Sequence, residues 1–163
     1  MAKNKEEKTN VMRVLEQKKI AYTAHTYPHE EGMAVDGVTV AKSMGFDPAI
    51  VFKTLVARGA SKQYYVFDVP VAENLDLKKA AKAVGEKSIE MLHQKELLPL
   101  TGYVHGGCSP VGMKKLFPTV IDASAENLET MIVSAGKIGY QVELSPRDLA
   151  ALVRAKFADL IAE

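Results

Sequence analysis

A chain of 163 residues, 47% hydrophobic and 25% charged, has the size and composition of an ordinary globular protein with one complete core. Lys plus Arg (21) against Asp plus Glu (20) leaves a net charge of +1, so the whole chain lacks a polyanion-binding signature, although a local basic patch fits inside a neutral total. Cys108 is alone, which excludes an intramolecular disulfide and a cysteine-based metal cluster, and no run approaches the ~20 apolar residues of a membrane span. With a charged N-terminus that lacks an apolar segment, these features predict a single domain over 1–163 in the cytoplasm.

In chain order, Val11, Met12, Val14, Leu15 and Ile20 have helical spacing, with Thr9 or Asn10 as the cap. Residues 21–27 read as a short strand that Pro28 stops, and 29–36 as an acidic loop. A short helix over 37–44 closes on Gly45, and Asp47-Pro48 supplies a second cap with a first-turn proline. Val51 to Arg58 is a strong strand, paired as a hairpin with 64–69 across 59–63. Alternation puts Lys53 and Leu55 on one face and Phe52, Thr54 and Val56 on the other. Lys53 then either faces solvent on an edge strand or stands as a cation at the mouth of a site.

Leu75, Leu77, Ala80, Ala81 and Val84 form a helical stripe with Lys78, Lys79 and Lys82 opposite, ended by Gly85. A brief strand at 88–91 and a turn of helix at 93–98 precede Gly102 to Gly112, which holds four glycines and Pro110 where a strand should end. Such a run is a shaped loop able to present amide N–H groups, and Lys114 and Lys115 follow it. Strands at 119–123 and 130–134 flank a helical turn, and Ser134 to Gly139 is a second small-residue loop. A strand at 140–144 leads into the Ser145-Pro146-Arg147-Asp148 capping box and a final helix to about Lys156. The pattern is mixed α/β (α+β): a curled, mixed, largely antiparallel sheet or partial barrel surrounded by helices.

Chemistry is narrowed by elimination. The sequence contains no HExxH, GxSxG, GxxxxGK[ST] or GxGxxG pattern. His25 and His29 are four apart but straddle Pro28, so one helix cannot hold both on a metal, and neither metal nor cofactor is expected. Cys108 in the glycine loop reads as a small space-filling side chain beside Ser109 in preference to a nucleophile.

What remains is Tyr27 at the end of the first strand, Lys53 in a central strand, and the two glycine-rich turns. His25-Thr26-Tyr27, Phe52-Lys53-Thr54-Leu55, Gly106-Gly107-x-Ser109-Pro110-x-Gly112 and Val133-Ser134-x-Gly136-Lys137-x-Gly139, in that order, resemble the YbaK/EbsC family, free-standing relatives of the editing domain of bacterial prolyl-tRNA synthetases. The resemblance spans nearly the whole chain and also includes Glu143-Leu144-Ser145-Pro146-x-Asp148-Leu149. It departs from the family pattern at Ala135, where the turn commonly reads Ser-Gly-Gly.

The resemblance implies a deacylase that hydrolyses the ester of mischarged tRNA(Pro), with cysteinyl-tRNA(Pro) as the typical substrate and no nucleophile from the polypeptide. It implies Lys53 as the central side chain, and Gly106 and Gly107 as the backbone groups around the acyl ester. Tyr27, Thr54, Ser109, Pro110, Gly112, Ser134 and Gly136 would be the substrate-binding set. Near-neutral charge suggests a weak unaided grip on tRNA, hence presentation by a complex with prolyl-tRNA synthetase. Alanyl-tRNA(Pro) as substrate, or a non-catalytic module that holds aminoacyl-tRNA or a nucleotide, are the alternatives.

Overall fold

The computed structural model describes residues 8–30 and 33–163. The expected charged N-terminus up to residue 7, and Glu31 and Gly32 of the expected 29–36 loop, lie outside the described residues. The elements are α1 (Asn10–Gln17), β1 (Tyr22–Thr26), α2 (Gly37–Ser43), a 3-10 turn (Pro48–Ile50), β2 (Phe52–Gly59), β3 (Tyr64–Pro70), α3 (Leu77–Val84) and β4 (Ile89–Met91). There follow α4 (Gln94–Thr101), β5 (Thr119–Asp122), a second 3-10 turn (Ala123–Asn127), β6 (Met131–Ser134), β7 (Tyr140–Leu144), α5 (Pro146–Val153) and β8 (Lys156–Ala158).

Side chains set the helix starts by accepting otherwise orphaned backbone N–H groups. Thr9 caps α1 through the Met12 amide, Asp36 caps α2 through Thr39, and Ser145 caps α5 through Asp148, with Pro146 in its first turn. Val11 and Leu15 of α1 are fully buried, each stabilising the fold by ~1.5–3 kcal/mol relative to an exposed side chain. Among the described residues no helix is long and apolar enough to cross a membrane.

The curled sheet is two open sheets. One has the order β1-β7-β6 and is antiparallel; the other has the order β4-β2-β3-β5-β8, with β3, β5 and β8 parallel and the rest antiparallel. The expected hairpin is β2–β3, in which Thr54 faces Asp68 and Lys53 faces Val69. A parallel bridge between Val51 and Ile132 joins the sheets at the start of β2. The main core fills the space between them with Phe52, Val56 and Val66 from one sheet, Met131, Val133 and Leu144 from the other, and α1 and α5 alongside. A second core, with Phe67, Val69, Ala80 and Ala81, packs α3 on the outer face of the larger sheet.

Four expectations need correction: Leu75 lies ahead of α3 and bridges to Ile161, and the 102–112 glycine run follows a helix, α4, in place of the expected strand end. The last helix ends at Val153, because Arg154 turns into the left-handed region at φ +58, and Lys156–Ala158 forms β8 against β5. The Leu160 amide, donating to the buried Asp122 carboxylate at 2.9 Å, anchors that strand. The expected turn at 93–98 is the longer helix α4, which carries Pro99 inside it and ends at Gly102. The Pro99 carbonyl accepts from the Lys114 ammonium at 3.2 Å.

Candidate active site

The cavity lies where the two sheets meet. β4 reaches only Ala57–Gly59 of β2, so the first residues of β2, which follow the Val51–Ile132 bridge, have no β4 partner on that edge. Successive side chains, Lys53 from one face and Thr54 from the other, both line the space beside that edge, a cavity of about 360 Å³. Tyr27 past the end of β1, Ser134 at the end of β6 and Gln141 in β7 form the facing wall. The Ala34–Gly37 segment, Leu97 of α4 and the His105, Gly106 and Cys108 stretch complete it. Lys53 is half-buried in the cavity wall, on a strand flanked by β3 and β4, so it does not lie on the solvent face of an edge strand.

Lys53 is half-buried, and desolvation lowers its pKa while the Asp36 and Glu73 carboxylates oppose that shift and favour the charged form. Burial raises the Tyr27 hydroxyl, against hydrogen bonds from the Gly139 backbone and the Gln141 side chain. The Ser134 oxygen accepts from the Gly136 amide at 3.1 Å, which leaves its own O–H to donate.

The glycine loop is held by its interior. Tyr103 donates to the Val111 carbonyl, and the Val111 amide donates to the Ser109 hydroxyl at 3.2 Å. Gly106 has φ +88 and passes so close to the segment before α2 that a Cβ there would stand 2.7 Å from Ala34 Cβ. Gly107 packs on the second loop, where a Cβ would be 3.1 Å from the Ile138 amide nitrogen. The Gly107 amide donates to the Val104 carbonyl at 2.9 Å, whereas the Gly106 amide has no protein partner among the described residues. Of the two expected backbone donors, only Gly107 has its amide taken up by another described residue. Gly106→Ala is expected to cost ~1–3 kcal/mol, read from the midpoint of urea unfolding; an unmoved midpoint would mean that the loop accommodates the methyl group.

Of the ten site residues expected from the sequence, Tyr27, Lys53, Thr54, Gly106 and Ser134 line the cavity. The other five frame the loops. Gly107, Ser109 and Pro110 are buried behind the wall, Gly136 packs beside the Tyr103 ring, and Gly112 is exposed next to the Tyr103 hydroxyl. Asp36, Leu97 and Gln141 are wall residues that sequence reasoning did not single out. His25 and His29 do not converge: His25 Nε2 meets Glu143 at 2.8 Å, while the His29 ring lies against Gly139.

Cys108 lines the cavity, and Asp68 lies behind Thr54. Asp68 is fully buried opposite Thr54, whose hydroxyl is 2.5 Å from Asp68 Oδ1. Burial, opposed only by that hydrogen bond, pushes its pKa up to about 7. Cys108 is buried, and burial first and the Asp68 charge second push its thiol up to about 12. A thiol so placed is not a nucleophile at neutral pH. Cys108→Ala should accordingly keep its deacylase activity, and the native thiol should resist alkylation in the folded state; loss of activity in a folded variant would contradict this.

Two open sheets joined at a bridge, with a lysine and a glycine turn around one cavity, are the architecture of an aminoacyl-tRNA editing domain. The profile of that family, "Aminoacyl-tRNA editing domain", matches residues 29–152, and the chain belongs to it. Among particular proteins, it is 45% identical over 161 residues, 98% of each chain, to the "Putative Cys-tRNA(Pro)/Cys-tRNA(Cys) deacylase EbsC" of Enterococcus faecalis (strain ATCC 700802 / V583). This agrees with the YbaK/EbsC resemblance of the motifs. A crystal structure described as "a putative trans-editing enzyme for prolyl tRNA synthetase" superposes with a TM-score of 0.79 at 26% identity, over 94% of this chain and 95% of that one. The "hypothetical protein APE2540" shares the fold, with a TM-score of 0.82 at 20% identity over 93% of this chain and 99% of that one.

Proposed function

We propose that this protein is a trans-editing deacylase that hydrolyses Cys-tRNA(Pro). The observation that carries the reading is that Lys53 and Gly106, whose amide has no protein partner among the described residues, line one cavity of about 360 Å³. That volume falls in the ~300–1,000 Å³ range of small-molecule sites, room for an aminoacyl group and a terminal ribose but not for a folded stretch of tRNA. The relative named for Cys-tRNA(Pro) and Cys-tRNA(Cys) supplies the substrate class.

An aminoacyl ester is already activated, so the protein need only hold it, exclude wrong geometries and stabilise charge at the carbonyl oxygen. Lys53 provides a cation for the phosphate or ribose end of the acceptor terminus. The Gly106 amide faces the developing oxyanion, a contact of a kind worth ~10²–10³ in rate. Tyr27, Thr54 and Ser134 offer hydroxyls to the amino acid and ribose. Gly107, Ser109, Pro110, Gly112 and Gly136 fix the loops that carry these contacts. No side chain serves as nucleophile; water attacks the ester, assisted by the substrate's own thiol and ribose hydroxyl. A single domain working in the cytoplasm, alongside prolyl-tRNA synthetase that presents the tRNA, fits the near-neutral charge.

A panel of mischarged tRNAs, assayed with and without prolyl-tRNA synthetase, tests the reading. Release of cysteine from Cys-tRNA(Pro) in preference to release from Ala-tRNA(Pro) is expected. Saturable binding without release would instead indicate a holding module, and preferential release of alanine would reassign the substrate.

A further inference from the structure

Behind Thr54 lies a carboxyl that the proposed reaction does not use. Asp68 Oδ1 meets the Thr54 hydroxyl, while Asp68 Oδ2 has no hydrogen-bond partner among the described residues. The groups facing it are Thr54 from β2 and the Cys108 thiol from the glycine loop; Ile121, its register neighbour in β5, is apolar. Beyond Cys108 stands the Tyr103 hydroxyl, which donates to Val111. Among the described residues no cation contributes to its environment, so burial holds the neutral acid far above the ordinary carboxylate range.

Hydrogen-bond accounting then decides which oxygen donates. An ionised Asp68 can only accept, so Thr54 must point its proton downward and show the cavity an acceptor. A neutral Asp68 places its proton on Oδ1 and donates to the Thr54 oxygen, since a proton on Oδ2 would be stranded without a partner. The Thr54 proton is then free to point into the cavity.

Resting on the deacylase reading above, we propose that Asp68 is a positioning residue that sets the polarity of the Thr54 hydroxyl: neutral, it makes Thr54 a donor to the acyl ester, and ionised, it makes Thr54 an acceptor. With the carboxyl held up to about 7, the change falls near neutrality. Thr54 touches substrate; Asp68 acts through it.

The test is kcat and KM for Cys-tRNA(Pro) between about pH 6 and 8.5 for the wild type, Asp68→Asn, Thr54→Val and the double variant. The ratio of wild type to Asp68→Asn cancels titration of the substrate's own amine. That ratio should fall by about tenfold in kcat as pH rises through about 7, with little change in KM, and Asp68→Asn should add nothing in the Thr54→Val background. A flat ratio, or additive effects, would overturn the proposal. Should Asp68→Asn fail to fold, Thr54→Val alone decides, because persistence of the wild-type step in that variant would overturn it. Carbon-13 NMR of labelled aspartate gives a readout without turnover: the Asp68 signal should titrate near neutrality and move higher in Thr54→Val, which removes the bond that lowers it. Titration in the ordinary carboxylate range, or no movement in Thr54→Val, would overturn the pairing. Absence of cysteine release from every variant and the wild type would sink the deacylase reading instead, leaving the NMR result to judge the pair.

Discussion

Lys53→Ala should lower kcat/KM for Cys-tRNA(Pro) by about a hundredfold or more, with the fold retained. The size follows from where the charge sits. Lys53 is half-buried at the start of β2, in a cavity whose walls also hold Gly106, the hydroxyl residues Tyr27, Thr54 and Ser134, and one carboxylate, Asp36, which favours the ammonium. In partial burial a cation acts on a phosphate or a developing oxyanion more strongly than it would in water. The fold should survive because desolvation already disfavours the ammonium, so its removal relieves a cost, and Asp36 and Glu73 then lose only a neighbouring cation. Lys53→Arg should restore part of the loss at most, since a planar guanidinium cannot occupy the position of a compact ammonium. Kinetics alongside thermal melts separate the two effects, and undiminished turnover in a folded Lys53→Ala protein would refute the role.

The second large effect is on stability. In the unfolded chain an aspartate ionises near ~3.9, whereas Asp68 in the fold holds its proton up to about 7. Between those values the folded state binds a proton that the unfolded state has lost, so stability from this group is full below ~3.9 and is lost as pH rises through about 7. The span corresponds to a change of order 4 kcal/mol. Glu143 has the opposite sign: hydrogen bonds from Thr130 and His25 lower it, and its contribution disappears in acid as pH falls through that lowered pKa. The difference in unfolding free energy between wild type and Asp68→Asn isolates the aspartate. Asp68→Asn should gain on the wild type by a few kcal/mol between about pH 4 and pH 8, read by urea unfolding. A difference independent of pH would contradict the burial of an unpaired carboxyl.

Much of this was legible in the chain because it depends on local chemistry. Caps at Thr9, Asp47 and Ser145, the breaks at Pro28 and Gly85, and the alternation through 51–58 and 64–69 each need only neighbouring residues. The ordered motifs likewise located the wall residues Tyr27, Lys53, Thr54, Gly106 and Ser134. β8 was not legible, since three residues carry no period and form a strand only because β5 offers an edge. Nor does spacing along a loop tell which atom faces a cavity: Ser109 and Gly136 sit among the motif residues, yet they pack inward against Val111 and Tyr103. Asp68 left one clue, an acid within the apolar run Tyr-Val-Phe-Asp-Val-Pro. Its meaning depends on the pairing with Thr54, which is a property of the hairpin register.

The most direct measurement is the release of free cysteine when a trace of the protein is mixed with an excess of Cys-tRNA(Pro). Many cysteines should be released per protein molecule, well above the spontaneous loss of the ester, with Lys53→Ala near that spontaneous rate. A single stoichiometric binding event with no accelerated release, or equal release by wild type and Lys53→Ala, would contradict a deacylase that works through Lys53.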